Sequence, residues 1–126
     1  MHASSEMNEE RLALDLSRRK HFRLECSLEA SYRYRNGDDE VVGQALVRNI
    51  GLGGARIDCD QELPMPCRMT LVLPAMAEEG VLEIPASVAW SVVDRGTGPY
   101  PTGIQILDQD EKAWSRLFRY IAALMR

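Results

Sequence analysis

The run SRRKHFRL, residues 17 to 24, gathers Arg18, Arg19, Lys20, His21 and Arg23 into eight positions of a chain whose formal net charge is -4. Charge concentrated in this way needs a local cause. An arginine fork donates two parallel hydrogen bonds, a geometry that matches a phosphate or the O6 and N7 edge of guanine, and its flat face stacks on purine rings better than an ammonium does. Two arginines four residues apart on a loop can do both at once. A solvated connector that merely separates two elements is the other reading of the same residues. A second group follows in NIGLGGARI, Asn49 to Ile57. The Asn49 amide carries one acceptor and two donors on a short stem, suited to the edge of a base. The glycines admit positive φ and close approach of a ligand to the backbone, although such a turn can also be only a turn.

These residues must be held by something, and the periodicity says what. In CSLEASYRYR, residues 26 to 35, Leu28, Ala30, Tyr32 and Tyr34 alternate with Glu29, Ser31, Arg33 and Arg35, the period of two of a half-buried strand. Asn36 and Gly37 supply a hairpin turn, and EVVGQALVRNI returns. ARIDC, RMTLVL, VLEIPASVAWSVVD and TGIQIL continue the series between glycine and proline breaks. In the long segment, Leu82, Ile84, Ala86, Val88, Trp90 and Val92 are expected on one side, with Pro85 marking an edge or a bulge. Asp58 and Asp60 read as solvated. From Trp114 onward, Leu117, Phe118, Ile121, Leu124 and Met125 recur at helical spacing, and Asp108 with Glu111 has the spacing of a capping box. Trp114 and Phe118 are expected to plug a barrel end. Residues 5 to 16 predict a short amphipathic helix. The fold class is therefore mainly β: an antiparallel barrel or sandwich of six or seven strands, closed by a carboxyl-terminal helix and preceded by a short amino-terminal one.

Composition narrows the function. At 126 residues and 45% hydrophobic content the chain is the size of one domain. Its amino terminus lacks the pattern of a secretory signal, and no apolar run is long enough to span a bilayer, so the expected setting is the cytoplasm, without membrane insertion. Cys26, Cys59 and Cys67 lack CxxC spacing and read as reduced thiols, and neither His2 nor His21 has a metal partner in the pattern. Glu25, Asp58, Asp60, Glu62, Glu78, Glu79 and Asp94 accompany no nucleophile with a spaced base, so no catalytic residues, metal or cofactor are expected and the chain is not read as an enzyme. The overall acidity and an aromatic fraction of 6% argue against a general nucleic-acid binder.

Taken as a pair, the two stretches resemble the signature of the PilZ family of cyclic di-GMP receptors. Arg19-Lys20-His21-Phe22-Arg23, preceded by Arg18, is similar to its R-x-x-x-R loop, and Asn49-Ile50-Gly51-Leu52-Gly53-Gly54 to its [D/N]-x-S-x-x-G turn. The resemblance implies a six-stranded antiparallel barrel with a carboxyl-terminal helix over residues 17 to 126, with residues 1 to 16 as a helical extension. It also implies a cytoplasmic bacterial receptor without chemistry of its own. Its ligand-binding residues would be Arg18, Arg19, Arg23, Asn49, Gly51 and Gly54, holding cyclic di-GMP, in some members as a stacked dimer. On this reading a mobile loop ordered by the ligand passes the signal to an unidentified protein effector. Gly51 stands where the family pattern has serine, so one hydroxyl is missing, and the Gly51 backbone N–H is expected to recover part of its hydrogen bond. A barrel that has lost the nucleotide and binds only a protein partner is the alternative.

Overall fold

The computed structural model describes residues 23–76, 79–92, 96–107 and 109–125. The expected amino-terminal helix and residues 17–22 of the basic run, Arg18 and Arg19 included, lie outside the described residues. Six strands run in chain order: β1 (Leu24–Asn36), β2 (Asp39–Ile50), β3 (Gly54–Cys59), β4 (Arg68–Leu73), β5 (Leu82–Ser91) and β6 (Tyr100–Ile106), followed by helix α1 (Glu111–Leu124). Every pairing is antiparallel, and the order β1-β2-β3-β6-β5-β4 closes on itself through Ser31–Tyr34 of β1 against Met69–Val72 of β4.

Alternation explains the interior. Ala30 and Tyr32 of β1, Ala45 and Val47 of β2, Ile57 and Cys59 of β3, Leu71 and Leu73 of β4, Ile84 and Ala86 of β5 and Ile104 of β6 all point inward and are buried. Tyr32 is fully buried and donates its hydroxyl to Asp60 Oδ1 at 2.8 Å. Asp60 is exposed, as expected, and at the same time accepts from a core phenol. Asp58 departs from expectation, with a side chain only 15% exposed and ion pairs to Arg48 and Arg56.

Helix α1 covers the barrel with Leu117, Tyr120 and Ile121, and Tyr120 donates to the Pro74 carbonyl at 2.6 Å. Phe118 is buried in the same core and the half-buried Trp114 packs against it, the two rings stacked at 5.8 Å. The cap moves. Asp110 Oδ1 accepts from Ala113 N at 2.8 Å, and Glu111 is already the first helical residue, which rules out a box built on Asp108 and Glu111. Pro85 is tolerated for a different reason from the one expected. Its carbonyl faces the Leu107 N–H just past the last residue of β6, so its own missing N–H falls where the ladder to β6 ends.

Burial sets the thiols and phenols as neutral groups. Burial raises Cys59 to about 11, and burial followed by the bond to Asp60 pushes the Tyr32 phenol well above its ordinary value. Cys26, Cys59 and Cys67 are all unpaired thiols.

Candidate functional site

Two irregularities in the ladders decide what the outer wall displays. In β2, residues 43, 45 and 47 face inward, and unbroken alternation would send Asn49 in after them. The register instead shifts between Val47 and Asn49, so that Val47 meets Ile57 while Asn49 meets Arg56, and the fully buried Ile50 takes the inward place. A bulge of this kind places two successive residues on one side and re-aims the side chain that follows. Asn49 is left on the outside.

The same device recurs in β5. Leu82, Ile84, Ala86 and Val88 are buried, but the register shifts between Val88 and Trp90. Trp90 therefore turns outward at 45% exposure, with Val92 exposed beyond it, against the expectation that both share the inward side. The indole lies flat enough over Gly103 that a Cβ there would overlap its Nε1 and Cε2.

The paired positions Asn49–Arg56, Arg56–Gly103 and Gly103–Trp90 now form one row across β2, β3, β6 and β5. At about 4.8 Å per strand the row spans roughly 14 Å. It presents an amide, a guanidinium and an aromatic face that covers the Gly103 backbone. Arg23 joins at one end. Its Nη1 donates to Asn49 Oδ1 at 3.4 Å, the same oxygen that accepts from Arg56 N at 3.1 Å. Its Nη2 lies over Gly54, where a Cβ would come within 2.8 Å of it and within 2.7 Å of the Ile104 carbonyl. Gly54 is required for room, not for an unusual φ.

The structure thus brings Arg23, Asn49 and Gly54 together at one place. Gly51 is beside them but contributes differently than expected, because its N–H donates to Gly54 O at 2.9 Å and is taken up by the turn. Two further residues of this wall escaped the sequence reading. Arg56 is legible only as an outward arginine in ARIDC, and Trp90 is concealed by its bulge. Arg56 keeps its freedom, since its contact to Asp58 is 3.9 Å and Arg48 holds the same carboxylate from the other side at 3.8 Å. A concavity of about 740 Å3 nearby is lined by Glu29, Asp58 and Asp60, a charge that disfavours an anion. Among the described residues no group of acidic, histidine or cysteine side chains could hold a metal ion.

A family model for the PilZ domain matches residues 17–123. The chain belongs to the PilZ domain family. Solved PilZ structures share the fold at low identity. The PilZ domain of CeSA from a cellulose-synthesizing bacterium superimposes with a TM-score of 0.63 at 12% identity, covering 83% of this chain and 99% of that one. The PilZ domain of YcgR from Escherichia coli, solved with c-di-GMP, gives 0.63 at 19% identity over 86% and 92%. The c-di-GMP complex of MrkH from K. pneumonia gives 0.60 at 15% identity over 82% of this chain and 49% of that longer one. No curated protein matches the sequence. Within the PilZ barrel of this chain, the row from Asn49 to Trp90 lies on the outer wall next to the point where the basic run enters β1.

Proposed function

We propose that this PilZ domain is a c-di-GMP receptor that binds the dinucleotide on the outer wall of β2, β3, β6 and β5 and passes the signal to a protein partner in the cytoplasm. The observation that carries the reading is the position of Arg23, hydrogen-bonded to Asn49 and lying over Gly54 at one end of a row that ends in an exposed indole. Two guanines and two phosphates ask for guanidinium forks, one discriminating amide and a stacking face. Arg23 and Arg56 supply forks here, Asn49 the amide and Trp90 the face, with Arg18 and Arg19 completing the cationic side from the loop. Residues 17–126 form the receptor, and residues 1–16 an extension that moves with the loop when the ligand orders it. A relay of this kind draws its free energy only from the difference in ligand affinity between two loop conformations.

A second reading, a partner-binding barrel without nucleotide, is favoured by one observation: the Gly51 N–H is already used by Gly54 O and is not available to replace the missing serine hydroxyl. Isothermal titration with c-di-GMP, using GTP as control and Arg23→Ala and Arg19→Ala as variants, separates the two. Saturable binding lost in both variants supports the receptor. Absence of heat and of thermal stabilisation leaves the adaptor.

A further inference from the structure

A groove of about 470 Å3 lies over the outer wall of β1, β4 and β5, and three arginines line it: Arg33, Arg35 and Arg68. They are not equivalent. Arg33 is neutralised, its Nη1 at 2.7 Å from Glu83 Oε1 and its Nε at 3.8 Å from Glu40 Oε1. Tyr34 and Met69 form the last pair of the β1–β4 ladder; Met69 is buried in the core and the half-buried Tyr34 packs against it. The next residues off that ladder, Arg35 and Arg68, therefore both point outward and toward the same groove. Like charges facing each other across an antiparallel pair are destabilising. Glu40, opposite Arg35 in the β1–β2 ladder, also lines the groove, but its one ion pair is with Arg33, and among the described residues no carboxylate lies within ion-pair distance of the Arg35 or Arg68 guanidinium, so the groove keeps a net positive charge.

A pair of always-charged forks aimed at one concavity is stabilised by an anion between them. A tetrahedral oxyanion fits better than a planar carboxylate, because it offers each fork its own pair of oxygens. Thr70, half-buried and lining the same groove between Arg33 and Pro85, adds a hydroxyl donor. We propose that this groove is a second anion site of the barrel, taking a phosphate or a small phosphate monoester between Arg35 and Arg68. It is separate from the first site and independent of its ligand. Arg68 meets Ser87, Ser87 meets Gln105 and Gln105 meets Gly54, three strand spacings or roughly 14 Å from the turn that Arg23 covers.

The test follows arginine Nε–H resonances of the 15N-labelled protein during titration with inorganic phosphate against chloride at constant ionic strength, then with AMP. Wild type and Arg23→Gln should both show Arg35 and Arg68 shifts saturating with a Kd on the order of 1 mM, the affinity of about three charge-assisted hydrogen bonds. Arg68→Gln should abolish the Arg35 shift. In chloride, Arg68→Gln should melt at or above the wild-type temperature, since repulsion is relieved, and phosphate should raise its melting temperature less than it raises that of wild type. Response to AMP as well as phosphate assigns the site to esters and response to phosphate alone to the free ion; both uphold the proposal. Shifts that rise linearly without saturation, loss of the response in Arg23→Gln, or an Arg68→Gln variant melting well below wild type in chloride would each overturn it.

Discussion

Replacing Gly103 by alanine probes the proposed ligand wall without touching the core. The new Cβ would overlap Trp90 Nε1 and Cε2 and come within 2.7 Å of Cδ1. Backbone is not in its way, and the group that must give is an indole already 45% exposed. Trp90 should therefore swing off the wall at a stability change of about 0.5 kcal/mol or less, or about 2 °C in melting temperature for a chain of this size. Stacking of a base on an aromatic side chain contributes about 1–3 kcal/mol by alanine substitution. Loss of the platform should then weaken c-di-GMP binding by about 5- to 150-fold in isothermal titration. Trp90→Ala should cost the same. Because Gly103→Ala acts only through the indole, the double variant should bind no worse than Trp90→Ala alone, which is full coupling in a mutant cycle. Additive losses, or an affinity unchanged within twofold while tryptophan fluorescence reports the indole displaced, would refute the stacking role.

Gly54→Ala should behave in the opposite way, since its Cβ would sit 2.7 Å from the Ile104 carbonyl in the middle of β6; overpacking of about 1–3 kcal/mol should lower the melting temperature by about 4–12 °C in calorimetry, and an unchanged transition would contradict the close approach. Gly51→Ser restores the hydroxyl of the family pattern and should tighten c-di-GMP binding by roughly tenfold to a hundredfold, the worth of one hydrogen bond to a charged group; titration showing no gain would mean that the turn does not touch the ligand. Cys59 and Tyr32 are held neutral with folded values raised above their ordinary 9.0 and 10.0, so their contribution is complete below about pH 9 and is lost as pH rises, at about 1.4 kcal/mol per pH unit for each group once its unfolded counterpart ionises. Guanidinium midpoints should fall between pH 9 and 11, with a shallower fall above pH 10 in Tyr32→Phe, and a flat profile to pH 11 would exclude the effect. Asp110→Ala should cost about 1 kcal/mol through loss of the bond to Ala113 N, read as a melting shift of about 4 °C, and an unchanged melting temperature would exclude the cap.

Where the chain keeps a period, its fold could be read directly. Leu28, Ala30, Tyr32 and Tyr34 alternate in the sequence and in the barrel, and Leu117 and Ile121 of the helix are as buried as their spacing implies. The proposed binding wall is legible only where residue type is distinctive in itself, as with Arg23 and Asn49. Trp90 was misplaced because an apolar residue continuing an alternating run looks like core, and a bulge depends on register between strands that a single segment does not carry. The bond between Tyr32 and the exposed Asp60 is hidden for a similar reason: the two lie 28 positions apart and meet only when β1 and the end of β3 come together. The cap fell on Asp110 instead of Asp108 because several acidic residues precede the helix and only backbone geometry selects among them.

The two bulges have a consequence for how such a wall can change. Asn49 and Trp90 face outward where each of their strands carries one residue more than its partner across the ladder, near Arg48 in β2 and Ala89 in β5. Deleting either of those residues would remove the bulge and leave Val47, Asn49 and Ile50, or Val88, Trp90 and Ser91, in strict in-out-in alternation, with the amide or the indole still facing outward. A residue lost anywhere else in either strand would exchange inside for outside along the rest of it. Each bulge is therefore the one place in its strand where chain length can change by a residue without turning the wall over.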